Sequence, residues 1–142
     1  MPLRLKDTKK HKGFFVVNDL PLIYSCSGCS NIAQMANDIA VKLDREGIAE
    51  MSCIAGVGGH VKPLVIKAQS GKPIIVIDGC PLQCAKHCLN NIGVEAEINI
   101  VLTEDGLKKT FHEDYDKKIV EKEYQKIKNI LEEKVCETNR LF

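Results

Sequence analysis

The chain has almost no charge of one sign to spare: 20 Lys and Arg stand against 19 Asp and Glu, with four His, for a formal net charge of +1. Without a basic surplus there is no overall electrostatic footprint for nucleic acid or for an anionic membrane, and neither is expected as a partner. Long apolar runs are missing as well. No segment approaches the roughly twenty residues that span a bilayer, and the opening Met1–Lys12 holds no apolar stretch of signal-peptide length. A cytoplasmic location is the expectation. The chain shows no internal repeat and no low-complexity block. Several nucleotide and hydrolase signatures are also missing. Val61 stands where Gly56-Val57-Gly58-Gly59-His60 would need a further glycine to read G-x-G-x-x-G, and no Gly-Lys-Ser/Thr occurs. No nucleophile elbow or Ser-His-Asp set is visible.

What remains is a compact budget of 142 residues, 44% hydrophobic and 27% charged, enough for one globular domain and too few for two. Residues 1–19 read as a basic N-terminal extension carrying Arg4, Lys6, Lys9, Lys10 and Lys12; lacking interleaved aromatics, it reads as a solvated tail. Residues 20–142 read as a single α/β domain. Phe14-Phe15-Val16-Val17 fits a short strand or a docking segment.

From Leu20 onward, short apolar runs alternate with helical periodicity, which predicts a three-layer, Rossmann-like domain with a mostly parallel sheet of four strands or slightly more, flanked by helices. Leu22-Ile23-Tyr24 is the first strand. Ile32, Met35, Ala36, Ile39, Ala40 and Leu43 recur at three- and four-residue steps before Gly47 and predict an amphipathic helix with a glycine stop. Ile48 to Ile54 reads as the second strand. A Gly-rich turn follows, then a short helix over Val61 to Ala68 with Pro63 near its front. Ile74 to Ile77 is apolar without alternation, as in a central strand covered on both faces. Ala96, Ile98, Ile100 and Leu102 alternate with polar residues and predict an edge strand. Val120, Tyr124, Ile127, Leu131 and Val135 place a packing helix over Asp116 to Cys136.

The seven cysteines are the chemistry of this sequence. In a reducing compartment their thiols stay free, which favours metal, catalytic or redox chemistry over a disulfide framework. Cys26 and Cys80 each follow a predicted strand and Cys53 stands at the end of another, all on the edge where open parallel sheets bind ligands. Neighbouring strands lie about 4.8 Å apart, so thiols at adjacent strand ends can reach a common metal. Pro81 suits a first helical position, which makes Cys80 an N-cap. Cys26 and Cys29 bracket the turn into the first long helix, with Ser27 or Ser30 as its cap. Helix N-termini would then favour thiolate and lower the thiol pKa. With Leu82, Ala85, Leu89 and Ile92 as the core stripe, Cys84 and Cys88 fall on one flank of that helix.

Cys26-Ser-Gly-Cys29 with Cys80-Pro-Leu-Gln-Cys84 can build a tetrahedral site for Zn(II), with Cys53 and Cys88 as additional candidates. Those spare thiols leave two alternatives open. One is a thiol redox or persulfide-carrying protein with Cys80 or Cys26 as a low-pKa nucleophile, working with a sulfur or thiol partner. The other is an iron-sulfur cluster binder. No catalytic residue can be named. The Gly56–Gly59 stretch could set backbone amides against an anion, though a flexible turn is the simpler reading. Cys136 reads as an ordinary residue and His87 as an exposed one. His60 and His112 carry no assignment, and Asp78 is expected to hydrogen-bond the Gly79 turn.

Cys26-Ser-Gly-Cys29-Ser30, Cys53-Ile-Ala-Gly-Val-Gly-Gly59 and Asp78-Gly-Cys80-Pro-Leu-Gln-Cys84 resemble the motifs of the DGC-domain proteins, over roughly Leu20 to Leu107. The family is named for its Asp-Gly-Cys step. The resemblance implies zinc ligation by Cys26, Cys29, Cys80 and Cys84; it gives Cys53 a place in a motif without a role.

Overall fold

The computed structural model of the protein describes residues 20–140, with side-chain surroundings through residue 134. The basic extension, Phe14-Phe15-Val16-Val17 and the side chains of Val135 and Cys136 lie outside what it describes. Strands β1 (Leu22–Ser25), β2 (Glu50–Met51), β3 (Ile74–Asp78) and β4 (Ile98–Val101) form one parallel sheet in the order β2-β1-β3-β4. In register, Leu22 lies opposite both Glu50 and Ile74, and Asp78 lies opposite Val101.

The helices are α1 (Asn31–Arg45), α2 (Ile54–Gly58), α3 (Lys62–Ala68), α4 (Cys84–Asn90) and α5 (Lys117–Arg140). Successive strand residues point to opposite faces, so the apolar runs of β1 and β3 supply two cores at once. Ile23, Ile75 and Ile77 pack with Ile32, Met35, Ile39 and Leu43 of α1 and with Tyr124, Ile127 and Leu131 of α5. On the other face, Leu22, Tyr24, Ile74 and Val76 pack with Val57 of α2, Ala68 of α3, and Ala85 and Leu89 of α4. Each fully buried Ile or Leu among these contributes roughly 1.5–3 kcal/mol. This is the three-layer α/β arrangement expected from the sequence, and β4 is an edge strand, with Ile98 and Val101 buried and Asn99 exposed.

Two expected elements differ. The second strand is confined to Glu50–Met51, and the Gly-rich stretch after Cys53 is not a turn but α2. A Cβ on Gly56 would overlap Leu64 Cδ1, so the glycine lets α2 lie directly against α3 and the stretch coils instead of extending. Its backbone amides are largely spent inside that packing: Val57 N–H donates to Cys53 O at 3.2 Å, Gly59 N–H to Ala55 O at 2.9 Å and Val61 N–H to Gly56 O at 2.8 Å. No helix among the described residues is long and apolar enough to cross a membrane.

Candidate functional site

From β1 the chain runs through α1 to β2, and from β3 it runs through α4 to β4, so the connections leave two neighbouring strands in opposite directions. The crevice between the carboxyl ends of such strands is where open parallel sheets place ligands. Cys26 follows β1 directly and Cys80 stands just past β3. Two bonds tie Cys26 to β3 and the turn after it: Cys26 N–H donates to Ile77 O at 3.1 Å, and Gly79 N–H donates to Cys26 Sγ at 3.1 Å.

Asp78, Gly79 and Cys80 have separate jobs in this turn. Asp78 is 1% exposed, and its carboxylate accepts from Ala85 N–H at 2.9 Å and Lys86 N–H at 3.2 Å. It therefore caps α4 from the end of β3 instead of holding its own turn, which corrects the expectation. A Cβ on Gly79 would sit 2.9 Å from the backbone carbon and oxygen of Ile32, so only glycine lets the turn pass the first residues of α1. Cys80 then emerges into the crevice.

The start of α4 also differs from expectation. Cys80 is not its N-cap: Gln83 N–H donates to Cys80 O at 3.0 Å, closing a turn through Pro81 and Leu82, and Gln83 caps the helix in a left-handed conformation at φ 49°. Leu82, assigned to the core stripe from its spacing, stands 63% exposed, while Ala85 and Leu89 are buried as expected. Cys84 becomes the first residue of α4. At α1, Ser30 is the cap, accepting from Ala33 N–H at 3.1 Å, and it follows Gly28, whose φ of 155° suits glycine.

Cys26, Cys29, Cys80 and Cys84 line one cavity of about 160 Å³. Cys26 and Cys80 are half-buried in its lining, whereas Cys29 and Cys84 are exposed. Burial pushes the Cys26 thiol up to about 11, with Asp78, Cys80 and Cys84 adding to the effect and the Gly79 N–H opposing it. That is the reverse of the lowered value expected for Cys26 at a helix end, because desolvation outweighs the single amide. Burial likewise raises Asp78, against the pull of the Ala85 and Lys86 amides.

Cys88 does not line the cavity. It is half-buried between α4 and α2, where a Cβ on Gly58 would lie 3.1 Å from its sulfur, and burial raises its pKa. Cys53 is exposed at the start of α2, also outside the cavity lining. His60, His87 and His112 are exposed.

Two lining residues carried no signal in their own neighbourhood of sequence. Lys109 Nζ lies 3.4 Å from Cys80 Sγ and 5.3 Å from the centre of the Phe111 ring, and Phe111 is 53% exposed on the rim. The segment that bears them is bound to Asn31, next to the α1 cap: Asn31 Oδ1 accepts from Thr110 N–H at 2.7 Å, and Asn31 Nδ2 donates to Lys108 O at 3.0 Å. Position in the loop beyond β4, on the ligand-binding edge, was the clue available.

The model of the DGC domain matches residues 22–127, which takes in the whole sheet and both thiol-bearing loops. The chain belongs to the DGC-domain family. Within that family it is similar to the anaerobic and virulence modulator AnvM of Pseudomonas aeruginosa, with 52% identity over 112 residues, 79% of this chain and 86% of the relative. No solved structure matches the chain.

In this DGC domain the donor set is all sulfur, the chemistry that suits zinc, copper(I) or an iron-sulfur cluster. Among the described residues, however, no three Cys, His, Asp or Glu side chains already stand in an arrangement that would hold a metal ion. Cys26 is bonded to Ile77 and Gly79, and the Cys29 and Cys84 thiols stand exposed.

Proposed function

We propose that this DGC domain is a binding module that holds Zn(II) through the thiolates of Cys26, Cys29, Cys80 and Cys84. The observation that carries the reading is the meeting of these four thiols, from two distant loops, on one cavity at the crevice between β1 and β3. The donor set fits a structural Zn(II), which is redox-inert and takes four thiolates at about 2.3 Å. Ligation requires the exposed Cys29 and Cys84 side chains to turn onto the fixed pair Cys26 and Cys80. Gly79 N–H supports the Cys26 sulfur as an anion, and Asp78 and Ser30 hold the two helix starts that carry Cys84 and Cys29. A bound metal would thus tie the β1 loop to the β3 loop. The relative's name describes an anaerobic and virulence modulator, and we extend to this chain a modulating role.

Metal analysis of protein purified without added metal, with thiol titration before and after chelation, tests the reading. One zinc per chain with four protected thiols supports it. A metal-free chain with four accessible site thiols overturns it.

One contact favours a second reading. Lys109 Nζ against Cys80 Sγ would support Cys80 as an attacking thiolate. Cys80 would attack a partner disulfide, forming a mixed disulfide and expelling one thiolate. Cys84 or Cys26, after losing its proton, would then displace the second thiolate, leaving an internal disulfide and passing two electrons to the partner. Rapid alkylation of Cys80 alone in a metal-free chain would support this; visible absorbance would point to an iron-sulfur cluster instead.

A further inference from the structure

Resting on the zinc reading, we propose that Lys109 is the residue that balances the charge of the thiolate site, and that Asn31 positions it there. Four thiolates around Zn(II) leave two negative charges, in a half-buried crevice that also adjoins the buried carboxylate of Asp78. Asp78 is committed to the Ala85 and Lys86 amides and brings no relief. Lys109 is the charged side chain on the cavity wall, and its ammonium already stands 3.4 Å from Cys80 Sγ.

Its placement is built by contacts on both sides. Asn31 N–H donates to Thr110 O at 3.1 Å, Asn31 Oδ1 accepts from Thr110 N–H at 2.7 Å and Asn31 Nδ2 donates to Lys108 O at 3.0 Å, so the backbone flanking Lys109 is clamped to the first turn of α1. The Phe111 ring, 5.3 Å from the ammonium, restricts it further. One asparagine therefore couples the loop after β4 to the helix start beside Cys29. Lys109 touches a ligand sulfur and is a positioning and charge-balancing group, with no bond to the metal.

The test is zinc affinity, measured by competition with a chromophoric chelator, in a series at one position. Lys109→Met weakens binding by about 10–100-fold, the usual range for a group that supports a metal ligand. Lys109→Glu weakens it more, and Lys109→Arg restores it to near the parent value. Asn31→Ala reproduces the Lys109→Met loss. Thermal unfolding of the metal-free Lys109 variants stays at the parent midpoint, because this side chain is outside both cores. Equal affinity across the Lys109 series, in a parent chain that binds zinc, would overturn this inference alone. A parent chain that takes up no zinc would overturn the reading of the site together with it.

Discussion

Gly79 N–H donates to Cys26 Sγ at 3.1 Å, so the residue after β3 grips the residue after β1. The pair spans the crevice between the two central strands and fixes two thiol-bearing loops relative to each other before any ligand arrives. The same glycine lies against Ile32 at the start of α1, where a Cβ would come within 2.9 Å of backbone. Gly79→Ala must push α1 away from β3. It is expected to lower stability by about 1–3 kcal/mol in urea unfolding, in line with overpacking elsewhere, and to weaken zinc uptake at the same time. An alanine variant with the parent midpoint and affinity would remove the glycine from the account.

Asp78 holds α4 by two amide bonds from a site almost closed to water. Asp78→Ala leaves both amides without that acceptor and is expected to cost about 1.5–3 kcal/mol, the range for hydrogen bonds to a charged group. Asp78→Asn keeps one acceptor oxygen and should cost less. Hydrogen exchange at Ala85 and Lys86 should accelerate in the alanine variant; unchanged protection there would assign the capping to another group.

Cysteine substitutions should divide by position. Cys80→Ser is expected to abolish metal binding, while Cys53→Ser, outside the cavity lining, and Cys136→Ser leave it intact. Equal loss from all three would mean that the site is elsewhere.

Glu123 offers a pH test far from the thiols. It is 3% exposed, and burial first, then Asp105 beside it, raise its pKa. Lys126, 3.7 Å from Glu123 and 3.4 Å from Asp105, offsets part of the charge. A raised folded-state pKa means the folded chain holds this proton more tightly than the unfolded chain does. Stability therefore declines as pH rises from the ordinary glutamate range through the raised value. Glu123→Gln should gain stability relative to the parent at neutral pH and lose that advantage near pH 4. A constant difference across pH would contradict the sign.

Much of this was legible in the sequence. The apolar periodicity of Ile32 to Leu43 and the uninterrupted run of Ile74 to Ile77 fixed α1 and β3, because core burial imposes those repeats directly. Cysteine at three of the four strand ends, joined to the edge rule for parallel sheets, brought Cys26 and Cys80 to one crevice. Elements decided by close approach were not legible. Gly56 and Gly58 read as a loop because the residues they pack against, Leu64 and Cys88 respectively, come from other segments. Pro81 read as a helix start, whereas the left-handed Gln83 delays α4 to Cys84. Lys109 was missed because its link to the site runs through Asn31, at the other end of the domain's sequence.

The central claim, that four named thiols form one metal site, is tested most directly by mapping alkylated cysteines in zinc-loaded protein by mass spectrometry, before and after chelation. The account predicts that Cys26, Cys29, Cys80 and Cys84 are protected with zinc and labelled without it, while Cys53 is labelled in both states. Labelling of Cys26 and Cys80 at the same rate in both states would contradict it.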